Sequence, residues 1–277
     1  MNRKVCAVVV TYNRLTLLKE CINSLMSQSY RNFDIVVVNN GSTDGTKDYI
    51  DSVEHVIPIH QDNLGGAGGF YAGMKYAYEQ GYNAIWMMDD DGICDKDELK
   101  YLLEFSDKLH LMIANAMVVA IENHDRYFNG KKINPSTLKD EVILNRTSPF
   151  NGTLIYRAVV DKIGYVKKEM FIYGDEREYL ARAKKAKLSC GTVIKAVHYH
   201  PMFKGDVKWI VPVLNVGRIY LKSPNFSNIY YRNLGYLFAE YRIMTWMKYA
   251  LYYLTRLQFA SFVTLMKSFN RGRKAVF

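Results

Sequence analysis

Residues 85–92 read IWMMDDDG: four large apolar residues, three carboxylates and a glycine. Adjacent like charges repel, and the apolar run draws their backbone toward the interior. Three acids so placed share a cation, hold unusual protons or form a surface turn. The flanking segments narrow the choice. Lys4 to Val10, Phe33 to Val38, His55 to Ile59 and Ala84 to Met88 are short apolar runs bounded by polar residues, the pattern of buried strands. Between them, Leu17, Leu18, Cys21, Ile22 and Leu25 recur at helical spacing. Ser42-Thr43-Asp44 opens a helix through Ile50, and Phe70 to Gln80 is helical in pattern. Strands alternating with helices predict an α/β chain with a parallel sheet. Ligands of such sheets bind outside the carboxyl ends of the strands. The loops after Val10, Val38 and Met88 are therefore expected to converge on one crevice, with the acids in it.

The rest of the chain is less regular. Residues 121–150 are polar and poorly periodic, as an excursion over the sheet would be. Asn151 to Val160 has strand character, Glu176 to Lys187 is helical, and Thr192 to His200 is another strand. From Asn228 onward the pattern is helical and aromatic. A 49% hydrophobic and 23% charged composition excludes a disordered chain. Cys6, Cys21, Cys94 and Cys190 are scattered without C-x-x-C spacing, which argues against a zinc site or disulfide framework and for reduced thiols in the cytoplasm. No secretory leader is read at the start, and no apolar run is long enough to span a membrane.

Each loop carries chemistry as well as an ordinary structural reading. Thr11-Tyr12-Asn13-Arg14 is a strand-to-helix turn whose backbone N–H groups and short polar side chains can hold a nucleotide; it is equally a helix cap. Asn39 and Asn40 offer amides that match a pyrimidine edge, or they cap a helix. Asn63-Leu64-Gly65-Gly66-Ala67-Gly68-Gly69 lets backbone approach a ligand, or is a flexible loop; no Gly-Lys-Ser/Thr follows, so it is not a P-loop. Asp89 and Asp91 supply the one or two carboxylates by which Mg²⁺ or Mn²⁺ is held against a diphosphate. Asp175 and Glu176 open a helix, where acids suit the dipole, or one of them is a general base. His198 and His200 end a strand, either as structural residues or as a further metal ligand beside Asp91.

In VVVTYNR at 8–14, VVVNNGSTDGT at 36–46, DNLGGAGGF at 62–70, WMMDDDG at 86–92, FNGTLIY at 150–156 and FIYGDEREYLAR at 171–182, the chain resembles the family-2 glycosyltransferases, inverting enzymes of the GT-A fold. It looks most like the branch with bacterial galactofuranosyltransferases and rhamnosyltransferases. The likeness covers about residues 4–200. It implies a GT-A nucleotide-diphospho-sugar transferase fold, a catalytic domain over 1–225 (nucleotide-sugar half about 1–92, acceptor half about 93–225) and a helical appendage over 226–277. It further implies that Thr11, Tyr12, Arg14, Asn39, Asn40, Asn63, Gly65, Gly69 and Asp90 line the donor. Many relatives carry Asp at one of the two Asn positions. Asp89 and Asp91 become the metal motif with His200, which fits the family spacing better than His198. Glu176 is favoured over Asp175 as base. The implied cofactor is a divalent metal, Mn²⁺ or Mg²⁺; the implied partners are a nucleotide-sugar donor and a lipid-linked glycan acceptor.

The C-terminal appendage is read separately. Residues 201–277 hold twelve Lys and Arg against Asp206 and Glu240, the whole of the net charge of +10. On one ideal helix Arg232, Arg242, Arg256, Lys267 and Arg271 would fall within an arc of about 120°. With Tyr230, Tyr231, Tyr236, Phe238, Tyr241 and Trp246 nearby, that suits an amphipathic segment lying on an anionic membrane, at the inner face of the cell membrane. Packing on the catalytic domain or on a homodimer partner is the alternative. Nucleic acid is not expected, since no recognition motif accompanies the basic residues. The competing functions are a non-catalytic carbohydrate-binding or scaffold protein on the same fold, and a sugar nucleotidylyltransferase, whose Gly-rich loop with Arg and Lys is missing from the N-terminal part.

Overall fold

The structure, a computed structural model, describes residues 4–127, 131–133, 140–147, 150–202, 205–211, 216–237 and 239–277. Phe238 lies outside the described residues, as do the side chains of Tyr241 and Arg242 and much of the 121–150 excursion. The chain divides into two compact units: residues 1–168 with 179–203, and residues 169–178 with 204–277. The second unit takes in the paired residues 206–211 and 216–221 as well as the helical stretch from 226 onward, and it includes Asp175 and Glu176.

The first unit is built on strands β1 (Val5–Thr11), β2 (Phe33–Asn39), β3 (Val56–His60) and β4 (Ala84–Asp89), in the order β3-β2-β1-β4, all parallel. Val, Ile and Trp residues fill both faces, as strands buried on two sides require. Helices α1 (Leu15–Met26), α2 (Thr46–Ser52) and α3 (Gly65–Glu79) make the crossovers. The chain winds outward from β1 to β3 and then returns to the other side of β1, so the crevice between β1 and β4 is the topological switch point.

Past β4 the sheet is mixed. Strand β5 (Ile93–Cys94), helix α4 (Glu98–Leu109), and strands β6 (Ile113–Ala120), β7 (Asn123–Tyr127) and β8 (Val142–Leu144) follow. Strand β9 (Thr153–Tyr156) inserts antiparallel between β4 and β6. The expected strand over 151–160 is thus only four residues of strand; helix α5 (Arg157–Ile163) takes over. Helix α6 (Asp175–Lys185) leads to β10 (Cys190–His200), which pairs parallel with β6 through a register shift between Val193 and Val197. Such a bulge re-aims the residues beyond it.

The glycine segment 65–69 is not a loop, as its composition suggested, but the first turns of α3. Glycine is a poor helix former, so packing must compensate. A Cβ at Gly69 would overlap Val10, and one at Gly73 would overlap Val8. Small residues four apart let α3 lie directly on β1.

The second unit holds the hairpin β11 (Asp206–Val211) and β12 (Val216–Leu221), then helices α7 (Pro224–Tyr236), α8 (Ala239–Thr255) and α9 (Phe259–Lys274). Tyr231, Tyr249 and Tyr253 pack with Ile210, Ile219 and Leu265. Backbones of α7 and α9 meet at Gly235 and Gly272, where a Cβ would strike main chain. The basic arc drawn on one continuous helix does not exist, because the chain turns after Tyr236 and again at residues 256–258, where Leu257 adopts φ +55°.

Candidate active site

Thr11 ends β1 and Asp89 ends the neighbouring β4, so the switch point itself carries the acids. Thr11 Oγ1 donates to Asp90 Oδ2 at 2.7 Å. Arg14 Nη1 donates to Asp90 Oδ1 at 3.1 Å and to Asp91 Oδ2 at 2.9 Å. Burial pushes the Asp90 carboxyl above its usual range, against the hydrogen bond from Thr11 and the charge of Arg14. Asp90 is therefore held inward as an anchor, and Asp89 and Asp91 flank it.

Strand β5 explains where Asp91 goes. Cys94 pairs with His198 and Ile93 with Tyr199 at the end of β10, so the short turn from β4 is drawn to that strand's end. Ligand atoms of Asp89, Asp91 and His200 lie within 4.8 Å of one another. His200 Nδ1 donates to the Pro201 carbonyl at 2.8 Å, and Nε2 stands 3.1 Å from Asp91 Oδ1. That oxygen is buried and, among the described residues, accepts no hydrogen bond of good geometry. With Nδ1 engaged as donor, a neutral His200 would present a lone pair to a carboxylate. A proton or a cation between them removes the conflict. Two carboxylates and an imidazole suit Mn²⁺ or Mg²⁺, with phosphate oxygens and water to complete the shell. The donor set fits such an ion.

In the protein alone a proton is favoured in that place. Burial opposes the charged form of His200, but contact with Asp91 prevails and holds its pKa above the ordinary histidine value. Burial likewise opposes ionisation of Asp91, and His200 and Arg14 prevail, holding that carboxyl low. A metal held by His200 would have to displace that proton. Mn²⁺ affinity is therefore expected to fall by about tenfold per pH unit below the raised His200 pKa and to level off above it. Calorimetric titrations between about pH 6 and about pH 8 measure this; an affinity independent of pH would remove His200 from the ligand set.

His198 belongs elsewhere. Its ring is buried, with Nδ1 at 3.1 Å from Glu98 Oε2 and 3.8 Å from Cys94 Sγ. Nε2 lies under the turn, where a Cβ at Gly92 would overlap it. The Glu98–His198 pair is thus a floor beneath the acids, and sequence reasoning missed it because its members are 100 residues apart. Gly92→Ala is expected to destabilise the protein by about 1–3 kcal/mol through overpacking and to weaken Mn²⁺ binding. Thermal melts with and without Mn²⁺ would show it; an unchanged melt would mean that the turn is loose.

The donor-side loops sit differently from expectation. Asn39 and Asn40 are each only 2% exposed. Asn39 Oδ1 accepts from the Ser42 N–H at 2.9 Å. Asn40 Nδ2 donates to the Gly65 carbonyl at 3.1 Å, and its Oδ1 accepts from Gln61 at 2.5 Å. Both amides brace the loops rather than face outward. Gly69 is buried under β1. Asn63 Oδ1 caps the Gly65 N–H at 3.0 Å, and Tyr12 is exposed.

Asp175 and Glu176 start α6 in the second unit, after a stretch in which Phe171, Tyr173 and Gly174 all have positive φ (63°, 67° and 101°). Asn233 of α7, 1% exposed, secures that stretch: its Nδ2 reaches the carbonyls of Met170, Ile172 and Tyr173 at 2.8, 3.0 and 2.9 Å. No sequence signal marks Asn233, since the partners of its Nδ2 are backbone carbonyls more than fifty residues away. Burial raises the Glu176 pKa against the opposing charges of Arg177 and Lys222, the direction that suits a general base.

The family model described as Glycosyl transferase family 2 matches residues 6–165. The galactofuranosyltransferase GlfT1 of Mycobacterium tuberculosis is 30% identical over 258 residues, covering 87% of this chain and 84% of the relative. GlfT1 of Mycolicibacterium smegmatis is 28% identical over 274 residues, covering 90% and 89%. Among solved structures, S. aureus TarS 1-349 in complex with UDP-GlcNAc superposes with a TM-score of 0.58 at 15% identity, over 97% of this chain and 92% of that one.

Proposed function

The chain belongs to glycosyltransferase family 2 and has its GT-A fold, and from that premise we propose an inverting, metal-dependent transferase. It moves a sugar from a UDP- or dTDP-activated donor, galactofuranose first and rhamnose second, to a hydroxyl of a lipid-linked glycan during synthesis of a bacterial surface polysaccharide. The observation that carries this reading is the convergence of Asp89, Asp91 and His200 at the switch-point crevice. The names of the GlfT1 relatives support the choice of sugar.

Asp89, Asp91 and His200 would hold Mn²⁺ or Mg²⁺, which supplies Lewis-acid stabilisation of the departing diphosphate. Arg14, bound to Asp90 and Asp91, fixes the carboxylates. Tyr12 and Asn63 are assigned to the nucleotide, while the buried Thr11 holds Asp90 in place. Glu176 takes the proton of the acceptor hydroxyl as that oxygen bonds to the anomeric carbon and the bond from carbon to diphosphate breaks. One displacement inverts the configuration, so no covalent sugar–enzyme species is required. Asp175, beside the base, helps to set the helix start.

Calorimetric titration with UDP-galactofuranose and dTDP-rhamnose, in Mn²⁺ and in EDTA, tests the reading. Metal-dependent binding of one donor, with turnover, supports it. A folded protein that binds neither in the presence of Mn²⁺ sinks it, and one that binds a donor without turnover is a carbohydrate-binding relative of the enzymes.

A further inference from the structure

Helix α8 is apolar on both sides. One face packs inward through Tyr249, Tyr252 and Tyr253. The opposite face carries Ile243, Met244, Met247, Leu251 and Leu254, which lie within about 100° of one another on a helical wheel and are 43% to 65% exposed. Among the described side chains of α8, that face has no charge; Lys248 lies at its margin. An amphipathic helix turns polar residues to water, and one that is apolar all round is covered by something. Leu257, Phe259 and Val263, next along the chain, are exposed as well.

The charge beside the band says what covers it. The outward face of α9 begins with Phe259 and Val263 and ends with Lys267, Arg271 and Lys274, all exposed. From residue 243 to 277 there is no Asp or Glu. A second copy docked through the same two helices would add cations and bring no acid from residues 243–277 to pair them. An anionic bilayer surface satisfies both features: apolar side chains enter the acyl boundary while lysine and arginine meet the headgroup phosphates. Among the described residues no helix is long and apolar enough to cross a membrane, so the contact is one of lying on the surface.

We infer that the α8–α9 face, apolar on α8 and cationic at the end of α9, docks the protein on the surface of an anionic lipid bilayer. Its purpose, bringing the enzyme to a lipid-linked acceptor, rests on the transferase reading; the docking itself does not. Co-sedimentation of the full chain with vesicles is the test, using phosphatidylcholine with and without phosphatidylglycerol, at low and high salt. Binding is expected to be about tenfold stronger with the anionic lipid and to weaken with salt. Met247→Glu with Leu251→Glu should lower it at least about tenfold, and reversing Lys267, Arg271 and Lys274 to Glu about a hundredfold.

All these positions are exposed, so the variants should keep the wild-type melting temperature and wild-type turnover on a short soluble acceptor. Failure of turnover would tell against the enzyme reading, and failure of sedimentation against the surface. Equal binding to both vesicles, or binding that neither variant reduces, overturns the inference. A wild-type dimer that Met247→Glu with Leu251→Glu dissociates, with no vesicle binding, also overturns it and gives the face to a second copy.

Discussion

Asp91→Ala is expected to abolish measurable Mn²⁺ binding and to lower turnover by about a thousandfold or more, as loss of a metal's charge stabilisation does. The residue contributes twice. Its carboxylate faces His200 on one side and Arg14 on the other, so removal deletes a ligand and frees both neighbours from position. Asp91→Asn keeps the shape but weakens the charge, and should fall between. Release of the nucleoside diphosphate from the donor, measured across a range of Mn²⁺ concentrations, reports both effects. Turnover within tenfold of wild type would show that the carboxylate cluster serves the fold alone.

The second large effect concerns the base. Glu176→Gln should lower kcat by about a hundred- to ten-thousandfold and change the donor KM little, because a general base acts in the chemical step. The wild-type rate should fall as pH drops through the raised Glu176 pKa, since only the ionised carboxylate accepts a proton. With Mn²⁺ kept saturating, so that proton competition at His200 does not enter, that acid limb disappears in the Gln variant. Asp175→Asn, one residue earlier, should retain the limb and most of the rate. If Asp175→Asn instead removes the limb, the two acids exchange roles.

The parallel half of the sheet was readable because strands buried on both faces advertise themselves as Val- and Ile-rich runs, and the helices between them fix their direction. The antiparallel β9 was not, since four residues of strand carry no signal of direction. The glycines of α3 misled because local propensity opposes a helix there; the reason for them lies in Val8 and Val10, more than fifty residues back along the chain. At the C-terminus neither Gly nor Pro marks the turn at Leu257. In the candidate site, the acids stood out by their placement after Met88. Asn39 and Asn40 show the limit of reading residue types: an amide that could face a base instead braces a loop. Glu98–His198 and Asn233 were invisible, because support from below depends on contacts that no local spacing reports.

Arg14 and the proton that Asp91 favours on His200 have a consequence for how such a protein comes into being. The end of β4 brings three acids together, yet it carries its own positive charge. On the proposed mechanism, the nascent chain would not wait for an ion in order to close its sheet and would take one up later. Metal supply would then govern how fast each molecule works and not whether it folds.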